Sequence, residues 1–525
     1  MLLLEEITNA QVGWRLTRLT LCTYLFAKAH SGIVSFSQGY RQDRVRKSEP
    51  PYVPGHFLWG NSAQFSKHHV RFLQTSQKQL GDIFTIRLLN HYFTVIMDPH
   101  CYETFVKVKN FDFFAIMHQV LNNVFALEVK SSRKLSIEIA KRLKGMYVNT
   151  TMDNFAKHVQ NSFTDLTKTS AMTTSDCNAN INTDGNTSVD WRREMLFTLM
   201  SKTMFPSLFY TLFGRSVDPS GEEKTKNFCP KVFHDNFNLF HKYFTYLWIG
   251  LPLKLFPQAV EALTVLLQQP TSHNMLRRDG VSEQIKVSIN HFHQHGHSEQ
   301  DIALYNLVIF HVNYNTFRAA YWCVYKLAED PRILKDLERE LHEAIEMKRA
   351  DGEESVAFTL AEIGEFPLLD SFWKETLRMY SGTLMTRYIT EDTEFEMPSG
   401  QKYTVRKGDR AVMCAAGVHM DPEIFEDPEV FKHKRFVNTT FYKYGKELKK
   451  LIFSFGSLCP GQRSAILQGK WFLMNLINSF SLQLPEGQKA EPNTEKYGNE
   501  ILPPVNDVQI DFRPKEGAPV LVYSK

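Results

Sequence analysis

No two of the chain's seven cysteines stand in a Cys-x-x-Cys pair. Cys22, Cys101, Cys177, Cys229, Cys323, Cys414 and Cys459 are scattered and odd in number. That excludes zinc-ribbon and thioredoxin-type motifs and argues against a disulfide framework, which favours a reducing compartment. An excess of one charge is also missing. Lys and Arg number 61 against 57 Asp and Glu, and a net charge of +4 over 525 residues is too small for a nucleic-acid-binding surface. Long apolar runs are scarce at the N-terminus, where a spanning helix needs roughly 20 such residues. The longest clean run there is Leu19 to Ala27, and Glu5, Glu6, Arg15, Arg18 and Lys28 interrupt the pattern around it. Residues 1–49 therefore read as a membrane-associated amphipathic segment or a packed helix, with no obvious signal-peptidase site.

Phenylalanine, by contrast, is abundant, at 40 residues. A Phe-rich, mildly basic chain suits a large apolar interior, an apolar ligand or a membrane surface. "PPYVPG" (Pro50 to Gly55) stiffens and turns the chain, and reads as a hinge into one globular body over residues 50–525. "GDIFTIRLL" and "HYFTVIMD" predict paired strands, and "FEMPSGQKYTVRKGDRAVMCA" predicts hairpin strands. Residues 167–190, rich in Ser, Thr and Asn, predict a flexible loop. Helical periodicity dominates elsewhere. A long apolar helix is expected over 304–331, ending at Asp330-Pro331, an amphipathic one follows, and another spans 368–380. The expectation is a mainly α fold with a small β lobe.

Three features carry chemistry. Glu375 and Arg378 share a helix face; taken alone they read as a surface ion pair, and with Arg435 in the Pro-punctuated stretch 421–438 they make a Glu-Arg-Arg network. Cys459, before Pro460-Gly461 and a further helix, sits where backbone N–H groups favour a thiolate; a buried structural thiol is the alternative. Gly461 removes a side chain that would block a flat, bulky ligand. The run His291, His293, His295 and His297 offers metal ligands if extended, but reads as a solvated connector.

Taken together and in this order, the E-x-x-R helix, the Pro-rich meander and the Phe/Gly loop with Cys-Pro-Gly resemble the cytochromes P450, the haem-thiolate monooxygenases. "LGDIFTIR", "FTVIMDPH", "VHMDPEIFEDPEVFKHKRFVN", "FYKYGKELKK" and "KYGNEILPPVNDV" are similar to the branch holding sterol 12α-hydroxylase, sterol 7α-hydroxylases and prostacyclin synthase. The resemblance implies a haem b sandwiched between the long central helix and the cysteine loop, with Cys459 as the axial ligand of its iron. It implies cofactor contacts from Arg387, Phe453 and Gly461, and a structural triad of Glu375, Arg378 and Arg435. Asn315 and Thr316 fall where this branch organises water and protons for oxygen activation. Residues 237–257, aromatic-dense and ending in prolines, read as a core helix or, by the resemblance, as the family's lid over the substrate channel, touching the membrane.

The implied function is hydroxylation of a sterol or bile-acid precursor with O2 and electrons from NADPH-cytochrome P450 reductase, on the cytosolic face of the endoplasmic reticulum membrane. A prostacyclin-synthase-like endoperoxide isomerase acting on an oxylipin is the second reading, and an inactive lipid-binding member the third. The chain departs from the family pattern in places. Phe453-x-x-Gly456 precedes Cys459 by one residue fewer than usual, and Ser457 stands where a basic residue is common. Arg463 lies one place later than the branch's arginine. Tyr314 replaces a small residue and is expected to crowd the oxygen site, and Phe317-Arg318 replaces small residues and proline.

Overall fold

The computed structural model describes residues 48–176, 191–216, 228–349, 353–456, 459–496, 498 and 501–525. Residues 1–47 of the N-terminal segment and the sequence Ser457-Leu458 lie outside them. Among the described residues no helix is long and apolar enough to cross a membrane.

The β lobe holds a five-stranded sheet. Its strands are β1 (Ile83–Leu88), β2 (His91–Ile96), β3 (Phe111–Asp112), β4 (Leu384–Ile389) and β5 (Arg410–Cys414), in the order β1-β2-β5-β4-β3. The β1–β2 hairpin pairs Ile83 with Ile96 and Leu88 with His91, as the two apolar runs predict. β5 joins β2 in parallel, so the chain returns to this lobe after α1 to α7 and before α8.

The helical body contains α1 (Met146–Asp176), α2 (Met204–Phe213), α3 (Pro230–His241), α4 (Glu283–Gln294), α5 (Glu299–Glu329), α6 (Pro331–Lys348), α7 (Pro367–Tyr380) and α8 (Gln462–Ser479). α5 is the central helix. It starts at a capping box, with Ser298 and Asp301 each accepting from the other's backbone N–H at 3.0–3.1 Å. It stops at Asp330, whose carboxylate then caps α6 by accepting from the Arg332 N–H, with Pro331 at the first helical position. One residue thus ends the buried helix and begins an amphipathic one. α5 packs against α2, α4, α7 and α8, and these helices form one large apolar core. A second core lies between the β lobe and the loop before Cys459.

α8 is seated on α7 by a missing side chain. A Cβ on Gly469 would stand 2.1 Å from the Trp373 ring, so only glycine lets the two helices come this close. This contact sets the position of Cys459 relative to the Glu-Arg helix.

Two expectations change. α1 overruns the start of the predicted 167–190 loop and stays helical to Asp176; Thr167 Oγ turns back onto the Phe163 and Thr164 carbonyls, so its hydroxyl is satisfied inside a helix. The rest of that loop lies outside the described residues. The histidine run is also no open connector, because α4 extends to Gln294. His291 is buried and its ring pairs with the Lys130 carbonyl, while His293 faces Glu299 and His297 faces Asp301. Helical geometry puts His291 and His293 on different sides, and no metal-holding cluster occurs among the described residues.

Candidate active site

The Glu-Arg pair of α7 is no surface bridge. Glu375 is 0 % and Arg378 1 % exposed. Arg378 donates to both Glu375 carboxylate oxygens at 2.7 and 2.9 Å, and Arg435 Nε donates to the same carboxylate at 3.0 and 3.1 Å. The Lys432 N–H adds a further donor at 2.9 Å. The guanidiniums spend their remaining N–H groups on carbonyls of the meander: Arg378 on His419 and Pro428, Arg435 on Glu426, Asp427 and Val430. A buried ion network is tolerable when its hydrogen bonds are filled in this way. It fastens the 419–435 stretch to α7.

The cysteine loop leaves this network at its first residues. Phe453 is fully enclosed by protein, and its ring meets Tyr102 edge-on at 5.4 Å. Its place is therefore at the base of the loop. Ser454 donates to the Leu377 carbonyl and accepts from Thr383, both at 3.0 Å. Gly456 turns with φ +57°, its N–H returning to the Phe453 carbonyl.

Of the five described cysteines, Cys459 is the exposed one; Cys101, Cys323 and Cys414 are buried, and Cys229 is half-buried. The surrounding protein still desolvates the Cys459 thiol and pushes its pKa up, against the N–H groups of Gly461 and Gln462 and the Lys450 ammonium, which pull it down. Burial pushes Cys323 to about 12 and Cys414 to about 11, so those thiols stay protonated.

Gly461 has φ −85°, a conformation any residue adopts. A Cβ there would lie 4.0 Å from the Cys459 sulfur and 3.9 Å from Leu143, in ordinary contact. The protein itself therefore does not demand glycine. What a side chain would occupy is the space beside the thiol.

Arg387, on β4, is 3 % exposed, and its guanidinium lies over the Phe105 and Phe113 rings at 5.3 and 5.1 Å. Burial pulls its pKa down to about 10. Tyr102 connects it to the loop: the phenol feels the Arg387 charge, carries the Lys450 ammonium 5.5 Å above its ring and touches Phe453. The thiol with its amide donors, the open side of Gly461 and this buried cation fit a flat, anionic macrocycle with an iron centre.

On α5, Val312 is 59 % exposed while Thr316, one turn on and on the same face, is 6 % exposed. Asn315 is occupied elsewhere, its Oδ1 accepting from the Ile501 N–H at 3.1 Å. Tyr314 turns away from the Thr316 face, contrary to expectation. Its hydroxyl lies 2.7 Å from His234 Nε2 and donates to Asn238 at 3.0 Å, both on α3, and its ring stacks on Phe317. One turn further, Arg318 meets His241 of α3 at 3.1 Å. The phenol goes there because residues two apart on a helix point to different sides. The stretch 237–257 divides between the two readings: Phe237, Phe240, Phe244 and Leu247 are buried, while Tyr246 and Ile249 are about half exposed, at 49 and 48 %.

The helical body, the small β lobe and the cysteine loop are those of a mainly α haem-protein fold. The sequence model "Cytochrome P450" matches residues 50–278 and 290–510. This chain belongs to the cytochrome P450 family and is a monooxygenase of that family, whose members carry haem iron. It is similar to "Cytochrome P450 7A1" of Sus scrofa, at 27 % identity over 90 % of this chain and 95 % of that protein. It is 26 % identical to the 7-alpha-hydroxycholest-4-en-3-one 12-alpha-hydroxylase of Homo sapiens over 89 % of this chain and 93 % of that one. With the cholesterol 7-alpha-monooxygenase of Cricetulus griseus the identity is 25 %, over 90 and 95 %.

Sequence reading missed three residues around the loop: Tyr102, Lys450 and His419. For His419 a signal was present, a lone histidine closing the apolar run "AVMCAAGV".

Proposed function

We propose that this chain uses haem b, held by Cys459, to hydroxylate a sterol or bile-acid precursor with O2 and electrons from NADPH-cytochrome P450 reductase, at the endoplasmic reticulum membrane. The observation that carries the reading is Cys459 itself, the exposed thiol among the described cysteines, with backbone N–H groups aimed at it from the start of α8. The sterol substrate is supported by the names of the relatives, a 7-alpha-monooxygenase and a 12-alpha-hydroxylase.

Bound through Cys459, haem iron would supply the oxygen chemistry, and the thiolate would enrich it in electron density. The chain's own residues supply the surroundings. Gly461 leaves room beside the sulfur. The Arg387 guanidinium suits a propionate carboxylate. Thr316 offers a hydroxyl to water and protons on the α5 face that opens at Val312, while Asn315 holds the 501 segment against that helix. The triad and Phe453 fix the loop that carries the ligand.

The test is the spectrum of the purified protein, reduced and exposed to CO, followed by turnover of 7α-hydroxylated sterols with and without NADPH and reductase. A red-shifted thiolate-type Soret band and reductase-dependent hydroxylation are expected. A haem-free protein would sink the reading, and turnover of an endoperoxide without reductase would replace it with the isomerase.

A further inference from the structure

His419 is fully buried where the ion network meets the cysteine loop. Its backbone carbonyl accepts from Arg378 Nη1 at 2.8 Å, and its ring Nε2 accepts from the Phe453 N–H at 3.0 Å. One residue thus touches the network with its main chain and the loop with its side chain.

An imidazole nitrogen accepts only when it carries no proton, so the ring is neutral with its proton on Nδ1. Burial and the nearby Arg378 charge keep it so, holding the pKa down to about 3. Nδ1 makes no hydrogen bond, although backbone groups of Arg378 and Leu451 lie near the ring. A buried donor without a partner carries a free-energy cost that a phenyl or aliphatic side chain would not. Filling space therefore does not explain an imidazole here; the acceptor at Nε2 does. The Phe453 amide, buried with its residue, needs that acceptor. The loop from Phe453 to Cys459 is also one residue shorter than the family pattern, so the angle at which it starts is left with less slack to be corrected.

We propose that His419 is a positioning residue for the haem ligand: its Nε2 holds the Phe453 amide so that the cysteine loop leaves the Glu375–Arg378–Arg435 network at one set angle and delivers Cys459 to iron. The inference rests on the haem-thiolate reading above. Glutamine reaches about as far as Nε2 and offers an oxygen acceptor; asparagine is polar but too short; leucine fills space without accepting.

The experiment compares His419→Gln, His419→Asn and His419→Leu in the full chain. Three readouts are taken: the share of bound haem giving a thiolate-type CO band, the thermal midpoint, and the exchange rate of the wild-type Phe453 amide. The expected result is a near wild-type thiolate share in His419→Gln and a several-fold loss in His419→Asn, with the two thermal midpoints similar and the Phe453 amide strongly protected. Equal thiolate shares in the Gln and Asn variants would overturn the proposal, whether both are retained or both are lost. If His419→Leu fails to fold, the Gln and Asn pair decides; if those also fail, an unprotected Phe453 amide overturns it and a protected one upholds it. A wild-type protein without any thiolate-type band sinks the haem-thiolate reading instead, and the amide measurement still judges the hydrogen bond.

Discussion

Replacing Glu375 with glutamine keeps the shape of the side chain and removes its charge. In the native protein one carboxylate faces two guanidiniums, with Glu375 and Arg378 at 0 and 1 % exposure and Arg435 at 9 %. After Glu375→Gln, two buried cations face each other across an amide whose NH2 group has no acceptor on their side. Breaking a buried pair in this way costs about 3–5 kcal/mol, because a charge is left uncompensated away from water. Glu375 serves two partners, which puts the expectation at the upper end of that range. Against a typical net stability of about 5–15 kcal/mol this is a large fraction. Urea unfolding followed by circular dichroism should show the midpoint falling with the slope unchanged. Adding Arg435→Met to Glu375→Gln should recover part of the loss, since the second substitution removes one of the stranded cations. A loss below about 1 kcal/mol, the level of an exposed ion pair, would refute the reasoning.

Further outcomes follow from the same geometry. Thr316→Ala should leave haem binding intact and uncouple oxygen consumption from product, measured as peroxide released per NADPH oxidised. Gly461→Ala should change stability by less than about 1 kcal/mol, since φ is −85° and the new Cβ contacts are 3.9 and 4.0 Å. Its haem content should nevertheless fall, and an unchanged haem-to-protein ratio would show that the space beside the thiol is not used. Gly469→Ala should destabilise by about 1–3 kcal/mol or more, because the Trp373 ring must move; a thermal midpoint equal to wild type would contradict the close α7–α8 seat. Stability should decline as pH falls below about 6.5. His69 and His158 are held down to about 4, and His234, His311 and His419 to about 3, each chiefly by burial, so the unfolded chain takes up protons first and gains on the native state until those lower values are reached. Each contributes up to about 1.4 kcal/mol per pH unit in that window. Urea midpoints that stay flat from pH 7 to about 5 would rule this out.

Much of the architecture was legible because its signals are local. Apolar alternation marked the β1–β2 hairpin, Asp330-Pro331 marked the end of α5, and spacing put Glu375 and Arg378 on one face. Whether that pair was buried could not be read locally. Its burial is created by carbonyls and Arg435 arriving from the meander some sixty residues on. Tyr314 illustrates the converse: a bulky residue at a small-residue position suggested a blocked site, yet the direction of its ring depends on which α3 residues lie opposite. The Ser/Thr-rich end of α1 was misread because composition argued for a loop, while the helix simply continued past Phe163 and Leu166, which are packed in the core.

The seam between α3 and α5 bears on which part of the 237–257 stretch is held fast. His234 and Asn238 grip Tyr314, and His241 grips Arg318, along successive turns of both helices. Prising α3 away would have to break all of these polar contacts at once, inside an aromatic cluster. The following stretch, Tyr243 to Phe256, meets α5 through the Phe244 ring stacked on His311, and otherwise runs as a short helix and a 3-10 turn after Pro252, with Tyr246 and Ile249 facing outward. α3 is therefore the pinned side of this seam, and the stretch after it is the side that turns apolar surface outward.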